Sequence, residues 1–304
     1  MQDPDRTASL MTPAKLAQVK PAAPPTPAAW LDQMALDAGH AHVRRIADLH
    51  ENLRLQGEGP GCASLLSGEL ARLSQVLPLL DFGLLQARGG WWARVSGKQR
   101  GGGEFGPQFQ RIEEAAQALA AQHQIVRKHQ LQTTGTDRTL LELDVESRAL
   151  DAIIDQGTRW LQDMRNQIKG RSGGDAAARR QIEDDTARCE LLVGRLKVLR
   201  AIATAAQQAR QQAQSTAVRR TALVKMLQHA LDRDLRTWHD DVSAIAAGVD
   251  GTATAQDLEA PMASHRDLQL CIKQAVADCA QLHGDEQALA ELVAALAGHL
   301  HAAS

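Results

Sequence analysis

Aromatic side chains are scarce in this sequence, which has no tyrosine, 3 phenylalanines and 5 tryptophans among 304 residues. Because aromatic residues favour strands and fill the cores of sandwiches and barrels, their scarcity argues against an all-β fold. Proline is missing between Pro107 and Pro261, as extended helices require. The 52 alanines point the same way, since alanine loses no side-chain entropy in a helix. We therefore predict an all-α protein.

A charge excess of one sign and long apolar runs are missing as well. The 34 basic and 36 acidic residues leave a net charge of −2, so we expect no nucleic-acid partner. No run approaches the roughly 18 apolar residues of a spanning helix, and the first residues lack the apolar core of a signal peptide. The 4 cysteines form no Cys-x-x-Cys pair and are expected to be reduced thiols. We expect a cytoplasmic protein.

Composition divides the chain into four segments. Residues 1–27 hold six of the 10 prolines and are expected to be a disordered Pro/Ala-rich tail. Residues 28–86 carry helical periodicity over about 30–55 and 64–77. Residues 87–107 form a glycine-rich loop that ends where Pro107 begins the next helix. Residues 108–304 are predicted to hold a long helical hairpin and a C-terminal helix.

The hairpin is predicted from apolar residues that recur every three or four positions, the spacing of a heptad. This apolar seam runs through about 137–169 and 176–247, with a reversal at 171–175. Three charged residues interrupt its second arm: Arg210, Arg220 and Asp234. We predict an elongated antiparallel coiled-coil-like bundle with shorter flanking helices. A linker is expected at 248–263. The sequence leaves open whether the 176–247 helix is continuous or has a kink or break near 214–216, and whether the last helix is divided near Gly284.

The glycine-rich loop combines tryptophan with cations, at Trp91, Trp92, Arg94 and Lys98. Aromatic residues among cations can engage a lipid interface or an acidic partner. The alternative is that both tryptophans pack beneath the helices while the cations stay solvated. The glycine spacing does not match a phosphate-binding loop.

No pattern in the chain indicates a catalytic or metal site. The closely spaced histidines do not form an i, i+4 pair with a nearby carboxylate. Cys271 and Cys279 lie about 12 Å apart along one helix, too far for a disulfide. We expect no cofactor, metal or catalytic residue; reaction of these thiols with a thiophilic oxyanion is the weaker alternative.

The segment from about 189 to 248 resembles the toxic anion resistance (TelA-like) family of bacterial cytoplasmic helical proteins. Leu196-Lys197 with Arg200 corresponds to a basic Leu-Arg-x-x-Arg run of that family, and Ala206-Gln207-Gln208-Ala209-Arg210 is similar to its Ala-Pro-Gln-Ile-Arg. The pattern of Ile-Gln, Ile, Ile and Trp is matched by Leu227-Gln228, Leu231, Leu235 and Trp238. The resemblance extends over about 80–300, with Gln207 and Arg236 in place of two family prolines.

The resemblance implies a role in resistance to tellurite and other toxic anions, alongside stress-response systems, and it supplies no catalytic residue. The expected interaction surface comprises Arg200, Gln208, Arg210 and Trp238, with the tryptophan loop as a second contact. Arg210 stands out because a guanidinium on an apolar seam must find partners or water. The alternative is that it only sets the helix register.

We therefore expect a non-enzymatic protein that binds a protein partner, a second copy of itself or, peripherally, a membrane surface. Two alternatives remain. The first is a coiled-coil scaffold that has no anion-related role. The second is a thiol-dependent tellurite reductase acting through Cys271 or Cys279.

Overall fold

The computed structural model describes residues 37–56, 61–85, 102–132, 136–171, 174–247 and 253–303. Helices dominate these ranges, which contain no β-strand, and the predicted all-α class is confirmed. Among the described residues the α-helices are α1 (His40–Gln56), α2 (Cys62–Val76), α3 (Gly102–Gln132), α4 (Thr136–Gly170), α5 (Ala176–His229), α6 (Leu235–Ala247) and α7 (Glu259–Ala303). Two 3₁₀ turns (Leu77–Leu79 and Phe82–Leu84) follow α2, and a π turn (Ala230–Asp234) joins α5 to α6. In the described ranges no helix has both the length and the apolar character that crossing a membrane requires.

Helix α3 begins earlier than the sequence predicts. It starts at Gly102, five residues before Pro107, which therefore lies inside the helix. Phe105 is buried and packs against Phe82 and Phe109. Tertiary packing of this kind stabilises a helical turn that local propensity disfavours.

Helix α7 also extends beyond the predicted limits. It begins at Glu259, within the expected linker, and Pro261 is its third residue. A proline costs little there, because the first four N–H groups of a helix have no intrahelical partner. The helix then passes through Gly284 without division. The buried residues on either side of this glycine, Leu282 and Leu296, offset its propensity cost of about 1 kcal/mol.

The second arm of the hairpin has no break at 214–216, a point that the sequence left open. Helix α5 continues through these residues, where the buried Thr216 hydroxyl donates to the carbonyl oxygen of Gln212 at 2.8 Å. The arm is irregular at the π turn instead, in which the Leu235 N–H donates to the carbonyl oxygen of Ala230.

The described residues divide into two compact units. Unit 1 comprises 37–44, 148–171, 174–203 and 303, and unit 2 comprises 45–56, 61–85, 102–132, 136–147, 204–247 and 253–302. Both units therefore combine segments that are distant in the sequence. The sequence segments 28–86 and 108–304 each contribute to both units.

In unit 1, helices α4 and α5 pack antiparallel along the predicted apolar seam. The buried seam residues of this unit include Leu150, Ile154, Leu161, Met164, Leu192, Leu196 and Leu199. Gly157 is also buried, and a Cβ placed on it would lie 2.9 Å from the Leu196 side chain. The Leu196 side chain therefore packs directly against the backbone of α4 at Gly157.

A buried carboxylate secures the turn between α4 and α5. The side chain of Asp185 is 4% exposed and pairs with Arg171 at 2.7 Å and with Arg188 at 3.3 Å. Because a buried charge is stable only when it is paired, these arginines are required for the carboxylate to remain there.

In unit 2, all three phenylalanines of the chain lie in the core around α2, α3 and α6. Ring centroids are separated by 6.0 Å between Phe82 and Phe105 and by 5.3 Å between Phe109 and Trp238. His265 of α7 completes this aromatic cluster, 5.3 Å from Phe82. The three phenylalanines, Trp238 and His265 therefore form one aromatic cluster in unit 2.

Candidate functional site

Trp238 belongs to the core of unit 2 and not to an interaction surface. Its side chain is fully buried, and its indole Nε1–H donates to Nδ1 of His265 at 3.0 Å. The predicted role of Trp238 in a contact surface is therefore wrong. A tryptophan is the largest burial unit available in a chain with few aromatic residues, so the packing requirement prevails.

Arg210 fulfils the expectation that a guanidinium on an apolar seam needs a partner. Its Nε lies 3.2 Å from Oδ1 of Asp144 on α4, and both side chains are mostly buried. Gln208 and Arg200 are exposed on α5. Since 28 residues of largely helical chain separate Arg210 from Trp238, these two lie about 40 Å apart along the helical path.

The structure therefore does not bring Arg210 and Trp238 together into one site. The second predicted contact, formed by Trp91, Trp92, Arg94 and Lys98, lies outside the described residues.

A cleft in unit 2 is the strongest candidate site in the described part of the chain. Its volume is about 640 Å³, within the range of small-molecule sites. Residues of α7 at helical spacing run along it: His283, Glu286, Gln287, Ala290, Val293, Ala294 and Ala297. Helix α1 contributes His50, Leu53 and Arg54, and helix α3 contributes Val126, His129 and Gln130. Each set has the i, i+3, i+4 spacing that places side chains on one helix face.

Glu286 organises one end of this cleft. Its carboxylate accepts hydrogen bonds from the backbone N–H groups of Cys62 at 3.1 Å and Ala63 at 3.4 Å. These are the first two residues of α2, so a side chain of α7 caps that helix. The same carboxylate accepts from the Arg220 guanidinium at 3.1 Å. Three helices therefore meet at a single carboxyl group.

Gly61 makes this approach possible. A Cβ on Gly61 would lie 2.2 Å from Oε2 of Glu286, a distance that no side chain could occupy. The residue before α2 must therefore lack a side chain for the carboxylate to reach the helix start.

At the other end of the cleft the wall formed by α7 is apolar. The residues of α7 that line it beyond Gln287 are all aliphatic: Leu289, Ala290, Val293, Ala294 and Ala297. Leu53 faces this end from α1, where the ring Nε2–H of His50 donates to the carbonyl oxygen of Val293 at 3.0 Å. This histidine therefore fixes α1 against α7 beside the apolar end.

The cysteines of unit 2 are poorly suited to nucleophilic chemistry. Burial raises the pKa of the Cys62 thiol to about 12 and that of Cys279 to about 11, and the nearby Glu286 carboxylate acts in the same direction. The Cys279 thiol donates to the carbonyl oxygen of Ala63 at 3.4 Å. Burial also raises the pKa of Cys271. Because the thiolate is the reactive form, raised pKa values disfavour reaction at neutral pH.

Metal ligation has no evident place in the described ranges. No group of three or more His, Cys, Asp or Glu side chains there is arranged to hold an ion. The three histidines of the cleft, His50, His129 and His283, belong to three different helices. What the cleft offers is apolar contact area together with a polar end.

The cleft was not predicted from the sequence, although one of its lining residues has an unusual position in the sequence pattern. Arg220 interrupts the apolar seam of α5. A charged side chain at such a position needs a specific partner. The acidic pair Asp285-Glu286 follows Gly284 directly, and nothing in its local sequence indicates a partner on another helix. Matching Arg220 to Glu286 requires knowing that α5 and α7 pack together, which periodicity does not reveal.

Comparisons of this chain with protein-family models, with curated proteins and with solved structures give no match. The resemblance to the toxic anion resistance family therefore stays a prediction.

Proposed function

We propose that this protein is a non-enzymatic helical binding protein that holds an apolar small molecule in the cleft of unit 2. The cleft itself carries this proposal, because its volume of about 640 Å³ and its mostly apolar lining surface are typical of small-molecule sites. The raised thiol pKa values favour binding over thiol chemistry.

A cleft-filling substitution tests this function. Ala294 lines the cleft and is exposed, so a tryptophan there should occupy the cleft without disturbing the core. The adjacent Ala295 is also exposed and lies outside the lining, which makes Ala295→Trp the matched control. Binding of the fluorescent apolar probe N-phenyl-1-naphthylamine should be saturable in the wild type, at least tenfold weaker in Ala294→Trp and unchanged in Ala295→Trp. Absence of saturable binding, or equal loss in both variants, would exclude the cleft as the site.

The cellular role we propose is tolerance to tellurite and related toxic anions, on the strength of the family resemblance. A deletion strain complemented with the wild type, Ala294→Trp or Ala295→Trp provides the test in a tellurite dose–survival curve. If the wild type and Ala295→Trp restore survival in tellurite and Ala294→Trp does not, the cleft is required for tolerance. A deletion that leaves survival unchanged would remove the anion-related role.

A scaffold is the second candidate function, favoured by two exposed apolar side chains. Leu141 and Val145 lie one turn apart on α4 of unit 2 and are 68% and 64% exposed. Neighbouring apolar residues on one helix face can pair with another copy of the chain. Light scattering should then show an oligomer that Leu141→Glu dissociates, whereas a monomeric wild type would eliminate self-association.

A further inference from the structure

The polar and apolar lining residues of the cleft are separated along α7. From His283 to Gln287 the lining residues are polar, and from Leu289 to Ala297 they are aliphatic. The ten residues between Gln287 and Ala297 correspond to about 15 Å of helix. A ligand that matches this cleft therefore has a polar head and an extended apolar body.

The charges at the polar end favour an anionic head. Arg220 contributes one positive charge and Glu286 one negative charge. The start of α2 adds a partial positive charge of about +0.5, because its backbone N–H groups point at the same place. The sum is positive by about half a charge, which an anion would neutralise.

Arg220 also retains a donor for such an anion. Its guanidinium lines the cleft and spends one N–H on Glu286. Its Nε is too deeply buried for a ligand in the cleft to reach, but the side chain as a whole is 32% exposed. A guanidinium has several N–H groups, so its terminal nitrogens can serve a second carboxylate beside Glu286.

We infer that the ligand of this cleft is a long-chain carboxylate. Its carboxylate accepts from Arg220, and its alkyl chain extends along α7 over Val293, Ala294 and Ala297. This inference rests on the proposed binding function, to which it adds the chemical class of the ligand. Aliphatic walls account for the affinity and the arginine for the selection of an acid over a neutral chain.

Calorimetric titration of the full chain with dodecanoate and with 1-dodecanol, both at monomeric concentrations, tests the inference. Dodecanoate should bind at least tenfold more tightly than 1-dodecanol. Decanoate should bind about tenfold more weakly than dodecanoate, since two buried methylene groups are lost.

Two neighbouring arginines provide a matched pair of variants. Arg220 pairs with Glu286 in the cleft, whereas Arg219 pairs with Asp285 at 3.2 Å and lies outside the lining. Arg220→Gln should weaken dodecanoate at least tenfold and leave 1-dodecanol unchanged, while Arg219→Gln should alter neither. Circular dichroism verifies that each variant folds. If Arg220→Gln does not fold, the comparison of the two ligands on the wild type decides the question.

The outcomes separate this inference from the function on which it rests. If 1-dodecanol binds as tightly as dodecanoate, the cleft takes an apolar ligand and the carboxylate assignment is wrong. The same conclusion holds if Arg219→Gln weakens dodecanoate as much as Arg220→Gln does. If dodecanoate, 1-dodecanol and the fluorescent probe all fail to bind, both the inference and the proposed function fail.

Discussion

Replacing Glu286 with alanine should loosen the start of α2 and release Arg220 at the same time. The lost cap costs about 1 kcal/mol, because two N–H groups at a helix start lose their acceptor. The lost ion pair adds about 1 kcal/mol, a modest value because the Arg220 side chain is 32% exposed. We expect Glu286→Ala to lower the free energy of unfolding by about 2 kcal/mol.

Two further variants separate these contributions. Glu286→Gln keeps an oxygen acceptor for the helix start and removes the charge, so it should cost about 1 kcal/mol. Asp285→Asn is the control: Asp285 precedes Glu286 and pairs with an arginine that is 42% exposed. Its cost should remain within about 0.5 kcal/mol, as for most exposed ion pairs.

Urea denaturation followed by far-ultraviolet circular dichroism measures these differences. Hydrogen exchange reports the local effect, since the amides of Cys62 and Ala63 should exchange faster in Glu286→Ala than in the wild type. The reasoning is refuted if Glu286→Ala is as stable as the wild type, or if Asp285→Asn destabilises the protein equally.

Three further predictions concern pH, packing and thiol chemistry. Burial lowers the pKa of His265 below 6.5, so the unfolded chain binds more protons than the folded protein as the pH falls through 6.5. The free energy of unfolding should therefore decline over this pH range. Urea midpoints measured across the range should decline less in His265→Gln than in the wild type. Gly157→Ala should destabilise unit 1 by about 1 kcal/mol, because the added methyl group crowds the Leu196 side chain. Gly194→Ala should stabilise unit 1 by about 0.5–1 kcal/mol in the same assay, because no atom lies within 4 Å of the added methyl group. Iodoacetamide at pH 7.5 should alkylate the half-buried Cys271 of the native protein before Cys62, and rapid modification of Cys62 would contradict its raised pKa.

The sequence allowed the helices and the seam between α4 and α5 to be predicted, because both follow from local periodicity. Leu143, Leu150 and Ile154 are buried as their spacing indicates. The start of α3 at Gly102 was not predictable in this way, since packing of Phe105 against residues of another segment decides it. Local propensity contains no term for such a contact.

The candidate site was less predictable than the fold. Charge on an apolar seam identified Arg210 as a residue that needs a partner, and Arg220 as a second interruption of the same seam; each pairs with a carboxylate. Which of the two lines a cleft depends on where α1, α3 and α7 pack, and that is a tertiary property. Trp238 shows the opposite error. The motif that contains it predicted a place on the interaction surface, whereas the hydrophobic effect buries it in the core.

The π turn at Ala230–Asp234 means that the number of residues before Trp238 matters as much as their identity. In this turn the Leu235 N–H donates to a carbonyl oxygen five residues earlier instead of four, so the helix after the turn is offset by about one residue from an uninterrupted α-helix. Deleting one residue within 230–234 should therefore leave a regular α-helix that still presents Trp238 to the core. Deleting one residue between 235 and 237 should rotate Trp238 by about 100° relative to the helix before it.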